Sequence, residues 1–77
     1  MPDARLVQAI SEVFGMPPAQ VTADSDRDSI SDWDSVGHLR LILLVEEFFE
    51  LRFPTADIPT LTSAARIQEA LDRAQKG

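Results

Sequence analysis

The sequence predicts an all-α fold, a small four-helix bundle of three main helices and one short one with a long first loop. Three observations predict it. Apolar residues recur at helical spacing in three separate stretches, and no stretch alternates apolar with polar residues as a half-buried strand would. Pro17-Pro18, Pro54 and Pro59 fall between those stretches, where they break helices instead of kinking them. A chain of 77 residues makes one domain, 1–77, near the lower size limit for folding alone.

The first helix lies in "DARLVQAISEVF", where Leu6, Val7, Ile10, Val13 and Phe14 form one apolar stripe. Asp3 is its expected N-cap, Gly15 can end it, and Pro17-Pro18 forbid its continuation. A connection of residues 15–33 follows, with Val21 and Ile30 as its expected anchors to the core. Loops this long in small domains are often functional.

The second helix lies in "DSVGHLRLILLVEEFFELRF". Val36, Leu39, Ile42, Leu43, Val45, Phe48 and Phe49 give it a wide apolar stripe, and Asp34 is a good N-cap acceptor. Gly37 weakens the helix by about 1 kcal/mol relative to Ala. The helix should fade near Leu51 and stop before Pro54. "TADIPTL" has room for one short turn. "TSAARIQEALDRAQ" reads as the last helix, with Thr62 as N-cap, Ala64, Ile67, Ala70, Leu71 and Ala74 on its buried side, and Gly77 closing the chain.

Composition narrows the function. There is no cysteine and only one histidine, His38, so neither a thiol nucleophile nor a cluster of soft metal ligands is available. That argues against an enzyme and for a binding or carrier module. The net charge of −6 would be repelled by nucleic acid and by anionic membrane surfaces and favours basic protein surfaces. The longest apolar run, "LILLV", is far too short to span a bilayer. The N-terminus carries no basic stretch followed by an apolar one. A cytoplasmic monomer is expected.

The charge concentrates in "DSDRDSISDWDS", residues 24–35: five aspartates, four serines and one arginine. As a calcium loop starting at Asp24 it fails. The sixth position, which needs glycine, is Ser29, and the twelfth, which needs a bidentate glutamate, is Ser35. Of the four serines only Ser35 sits at a predicted helix start. A phosphate ester there would lie beside free amides at the positive end of the helix dipole. For a bare Asp-Ser-aliphatic tripeptide an ordinary capping serine is the simpler reading.

The longer stretch "WDSVGHLRLILLVEEFF", residues 33–49, resembles the modification helix of acyl carrier proteins, in the subgroup whose motif reads Trp-Asp-Ser, two residues, then His. The resemblance covers nearly the whole chain and implies a single acyl-carrier-protein-like domain. It implies 4'-phosphopantetheine joined to Ser35 through a phosphodiester, loaded from coenzyme A by a phosphopantetheinyl transferase, with Asp34 assisting at the transferase's magnesium site. The protein itself would catalyse nothing. The arm's terminal thiol would carry acyl groups as thioesters, which explains a chain without cysteine. An acyl- or aminoacyl-loading ligase and downstream transferases or synthases would dock mainly on the second helix.

Val36, Arg40, Leu43, Glu46 and Glu47 share a spacing that can make one partner-facing stripe. Leu43 reads equally as core or recognition residue. Arg40 is a departure, because fatty-acid carriers tend to be acidic there. It points away from bulk fatty acid synthesis towards a stand-alone carrier of a specialised pathway, such as a polyketide, modified-lipid or cell-envelope sugar route. The alternative is an aminoacyl, peptidyl or D-alanyl carrier with the same fold and cofactor. From another class comes an unmodified acidic adaptor that only binds proteins. His38 is expected at the surface or in the capping turn, packed near Trp33. Trp33 should shield the loop and the start of the second helix. Phe48, Phe49, Phe53 and Leu71 read as core.

Overall fold

The computed structural model describes residues 2–76. Three α-helices follow one another: α1 (Ala4–Phe14), α2 (Ser35–Phe49) and α3 (Ala64–Lys76). Two 3-10 segments, Pro18–Gln20 and Thr55–Thr60, lie in the connections. The second is the short helix expected around Pro59. The first was not anticipated, and Pro18 at its start pre-sets the backbone angle that the turn needs. The described residues contain no strand, only an isolated antiparallel bridge between Asp26 and Ser63. The expected close of the chain at Gly77 lies outside the described residues.

Local chemistry sets the ends of α1 and α2. Asp3 accepts the Arg5 N–H at 2.8 Å at the start of α1. Gly15 closes that helix at φ 62°, a left-handed conformation that glycine adopts without a Cβ penalty. The α2 helix ends at Phe49, and Glu50 takes the left-handed position at φ 52°. Its N–H and that of Leu51 satisfy carbonyls of the last turn, so the chain reverses before Pro54.

The cap of α3 differs from expectation. Ser63, not Thr62, starts that helix: its Oγ accepts the Arg66 N–H at 3.1 Å and its carbonyl accepts the Ile67 N–H. Thr62 is drawn instead into the bridge with the first loop, its carbonyl accepting the Arg27 N–H. Ala74 is exposed, because the core ends at Leu71 and the last turn of α3 runs past it.

One core joins all three helices. Leu6, Ile10 and Phe14 of α1 meet Leu41, Ile42, Val45 and Phe49 of α2 and Ile67 and Leu71 of α3. Val21, Trp33, Phe53 and Leu61 are buried with them, and Ile30 and Phe48 pack against the edge. On α1–α2 the Arg5 guanidinium lies 4.1 Å from the centre of the Phe49 ring, a contact worth about 0.5–1 kcal/mol at an exposed site.

The buried face of α2 corrects the sequence reading. Gly37, His38, Leu41, Ile42, Val45 and Phe49 face inward, while Val36, Leu39 and Leu43 are 66%, 56% and 65% exposed. Leu39 was expected in the core and Leu41 was not. The helix is apolar almost all the way round over residues 39–45, so periodicity alone could not choose its inner face.

The candidate modification site at the start of helix α2

The acidic stretch before α2 is ordered by its own side chains. Ser25 is buried; its Oγ accepts the Thr22 N–H at 2.9 Å, and its carbonyl accepts the Ala64 N–H at 2.8 Å. Asp26 and Ser29 exchange bonds, Asp26 Oδ1 accepting the Ser29 N–H and Ser29 Oγ accepting the Asp26 N–H. These are the local turns that Ser and Asp favour. No group of three or more His, Cys, Asp or Glu among the described residues is arranged to hold a metal ion.

Trp33 then turns the chain into the core. Its ring is 2% exposed and stacks on Phe14 at 5.3 Å between centroids. Asp34 follows as the N-cap, its Oδ1 accepting the Gly37 N–H at 2.8 Å and its carbonyl accepting the His38 N–H at 2.7 Å. Ser35 is the first residue of α2 and is exposed. With the Gly37 amide taken by Asp34, the amides of Ser35 and Val36 have no acceptor within the helix. An anionic ester on the Ser35 hydroxyl would sit beside them, at the positive end of a helix of 15 residues.

Gly37 lets this turn close. A Cβ built on it would overlap the Asp32 carbonyl oxygen and lie 3.0 Å from Phe14 Cε1 and 3.3 Å from Asp34 Oδ1. A cost in helix propensity was all that the sequence suggested at this position; the structure shows a close approach that only glycine permits.

His38 is not a surface residue. It is 6% exposed, and both ring nitrogens are engaged. Trp33 Nε1–H donates to Nδ1 at 2.9 Å, and Nε2 lies 2.7 Å from the Ile58 carbonyl oxygen. The expected proximity to Trp33 is present, but as a buried hydrogen bond. Spacing gave no signal for Ile58 as the third member.

Of the expected partner stripe, Val36, Arg40, Leu43 and Glu47 are exposed along α2. Leu43 is therefore not a core residue. It borders an open groove with Glu12, Val13, Arg40, Leu44 and Glu47. Glu46 is different. It is partly buried, and its Oε2 accepts the Phe53 N–H at 2.8 Å, so it ties α2 to the segment that follows. Phe49, Phe53 and Leu71 are buried as expected.

No protein-family model matches the chain, and no curated protein matches it. No helix among the described residues is long and apolar enough to cross a membrane.

Proposed function

We propose that this protein is a carrier that holds acyl intermediates on a 4'-phosphopantetheine arm attached to Ser35. The observation that carries the reading is the placement of Ser35: exposed, first in α2, directly after the Asp34 cap, within the motif Trp33-Asp34-Ser35-x-x-His38. In the loading step the Ser35 Oγ attacks the β-phosphorus of coenzyme A. A phosphodiester forms, 3',5'-adenosine diphosphate leaves, and the serine proton passes to a base of the phosphopantetheinyl transferase. Asp34 uses Oδ1 for its cap, and its carboxylate would assist at the transferase's magnesium site. The arm's thiol, once attached, supplies thioester chemistry that the chain itself lacks.

Val36, Arg40, Leu43 and Glu47 form the surface on which the loading ligase and downstream transferases or synthases dock, with Glu46 at its edge. Exposed apolar side chains beside unburied charges suit transient docking, in which charge steers and the apolar centre grips. Arg40 sets this face apart from a uniformly acidic one and supports a specialised pathway. An aminoacyl, peptidyl or D-alanyl carrier shares the same support. Parallel loading with fatty-acyl and aminoacyl donors separates the two.

The test of the reading itself is transfer of a fluorescent coenzyme A analogue by a broad-specificity transferase with magnesium. Wild-type protein should be labelled and Ser35→Ala should not. A folded wild-type chain that stays unlabelled by both this transferase and a cognate one would leave the unmodified adaptor as the better account.

A further inference from the structure

Resting on the carrier reading, we infer that His38 is a positioning residue for the modification of Ser35. It acts through a chain of hydrogen bonds, buried at Trp33 and partly buried at Ile58, that runs from Trp33 through its own ring to the Ile58 carbonyl.

The geometry is specific. Trp33 Nε1–H can only donate and the Ile58 carbonyl can only accept. Bonds of 2.9 and 2.7 Å on opposite ring nitrogens therefore assign His38 one tautomer, with Nδ1 bare and Nε2 carrying the proton. Each end of the chain belongs to a different element. Trp33 ends the first loop two residues before Ser35, His38 lies in the first turn of α2 three residues after it, and Ile58 belongs to the 3-10 segment. The loop, side chains and helix backbone thus form a closed ring around Asp34 and Ser35, and the second bond fastens that ring to the segment Thr55–Thr60.

The ring has little freedom. Trp33 is stacked on Phe14, with centroids 5.3 Å apart, and its indole edge meets the His38 ring at 22° from coplanar through their hydrogen bond. The Asp32 carbonyl rests against Gly37. No buried side-chain nitrogen or oxygen among the described residues lacks a hydrogen-bond partner, so severing the chain leaves the buried Trp33 Nε1–H without one, while the Ile58 carbonyl keeps only the Leu61 N–H. Helix starts otherwise fray, and a hydroxyl that must meet a phosphorus in line is sensitive to small misplacements. Partner recognition lies elsewhere, on the outward side chains of α2. Loss of the chain should therefore lower the turnover of loading more than the affinity of the transferase for its substrate.

The experiment measures kcat and KM for loading of the whole chain from coenzyme A, at a temperature where circular dichroism shows every variant folded. His38→Phe keeps the ring and removes both bonds. It should lower kcat roughly ten- to a hundredfold, with KM for the carrier within about twofold. His38→Gln offers an acceptor and a donor on one amide and should recover much of the loss. Leu71→Ala, in the core on α3, should lower the melting temperature and leave kcat as in wild type. Amide exchange should quicken at Val36 and Gly37 in His38→Phe and stay unchanged at Val45. Wild-type kcat in His38→Phe, or an equal loss in Leu71→Ala, overturns the positioning role alone. A wild-type chain that is never loaded, beside another carrier that is, overturns the carrier reading and this role with it.

Discussion

The carbonyl oxygen of Asp32 occupies the space that a Cβ on Gly37 would need. The loop and the first turn of α2 meet there without a side chain between them, which brings the Asp34 cap and Ser35 to the surface in one fixed turn. The obstruction is backbone on one side and the buried Phe14 ring on the other, so neither can yield cheaply. In an open helix Gly→Ala stabilises by about 1 kcal/mol. Here Gly37→Ala should destabilise, by about 1–3 kcal/mol as overpacked sites do. Urea denaturation of the two proteins checks the sign. A stabilised variant would mean that the close approach is absent.

Asp34 has two separable tasks. As N-cap it accepts the Gly37 N–H, and its loss in Asp34→Ala should cost about 1 kcal/mol. Asn caps as well as Asp, so Asp34→Asn should keep wild-type stability. If the carboxylate also faces magnesium during loading, Asp34→Asn should still lose most of its loading rate. Stability and loading measured on the same two variants separate cap from charge.

Glu46 and Glu47 are neighbours with different duties. The Phe53 N–H donates to Glu46 Oε2, whereas Glu47 is exposed. Glu46→Ala should destabilise by about 1–2 kcal/mol, because it strands a partly buried donor. Glu46→Gln keeps an acceptor and should recover much of that loss. Glu47→Ala should stay within about 0.5 kcal/mol of wild type. Thermal melts of the three variants decide this, and Glu47→Ala remains the cleaner probe of partner docking.

Asp3 links stability to pH. The Arg5 side chain and backbone N–H both donate to it, and they hold its carboxyl below the ordinary aspartate value of 3.8. A group depressed in the folded state stabilises fully above its unfolded value and loses that contribution as pH falls through the folded one. Asp3→Asn keeps a cap and removes the charge. The stability difference between it and wild type should hold well above pH 3.8, shrink as pH falls below that value and vanish at lower pH. Denaturant titrations over that range test the convergence.

Much of this fold could be read from residue patterns, for physical reasons visible in single residues. Asp3, Gly15 and Asp34 act within one turn of themselves, so their capping roles followed from residue type and position. The stripe of α1 is clean, and Leu6, Ile10 and Phe14 lie inside as expected. On α2 the pattern fails because Leu39, Leu41, Leu43 and Leu44 offer several possible faces. The inner one is chosen by Gly37 and His38, a small and a polar residue that no hydropathy pattern favours. Thr62 was the reasonable cap of α3 until the first loop claimed its carbonyl. At the candidate site, Ser35 and Asp34 were found from the motif and the helix start. The His38 bridge to Ile58, 20 residues away, and the Glu46 bond to the Phe53 amide depend on tertiary placement and left no local signal.

The carrier reading stands on one hydroxyl. The most direct measurement is the intact mass of the protein after incubation with a phosphopantetheinyl transferase, magnesium and coenzyme A, with fragmentation to locate any added group. One phosphopantetheine increment on Ser35, absent from Ser35→Ala, is the predicted result. An unchanged mass for the folded wild-type chain with a cognate transferase, or an increment on Ser25, Ser29 or Ser31 instead, would contradict it.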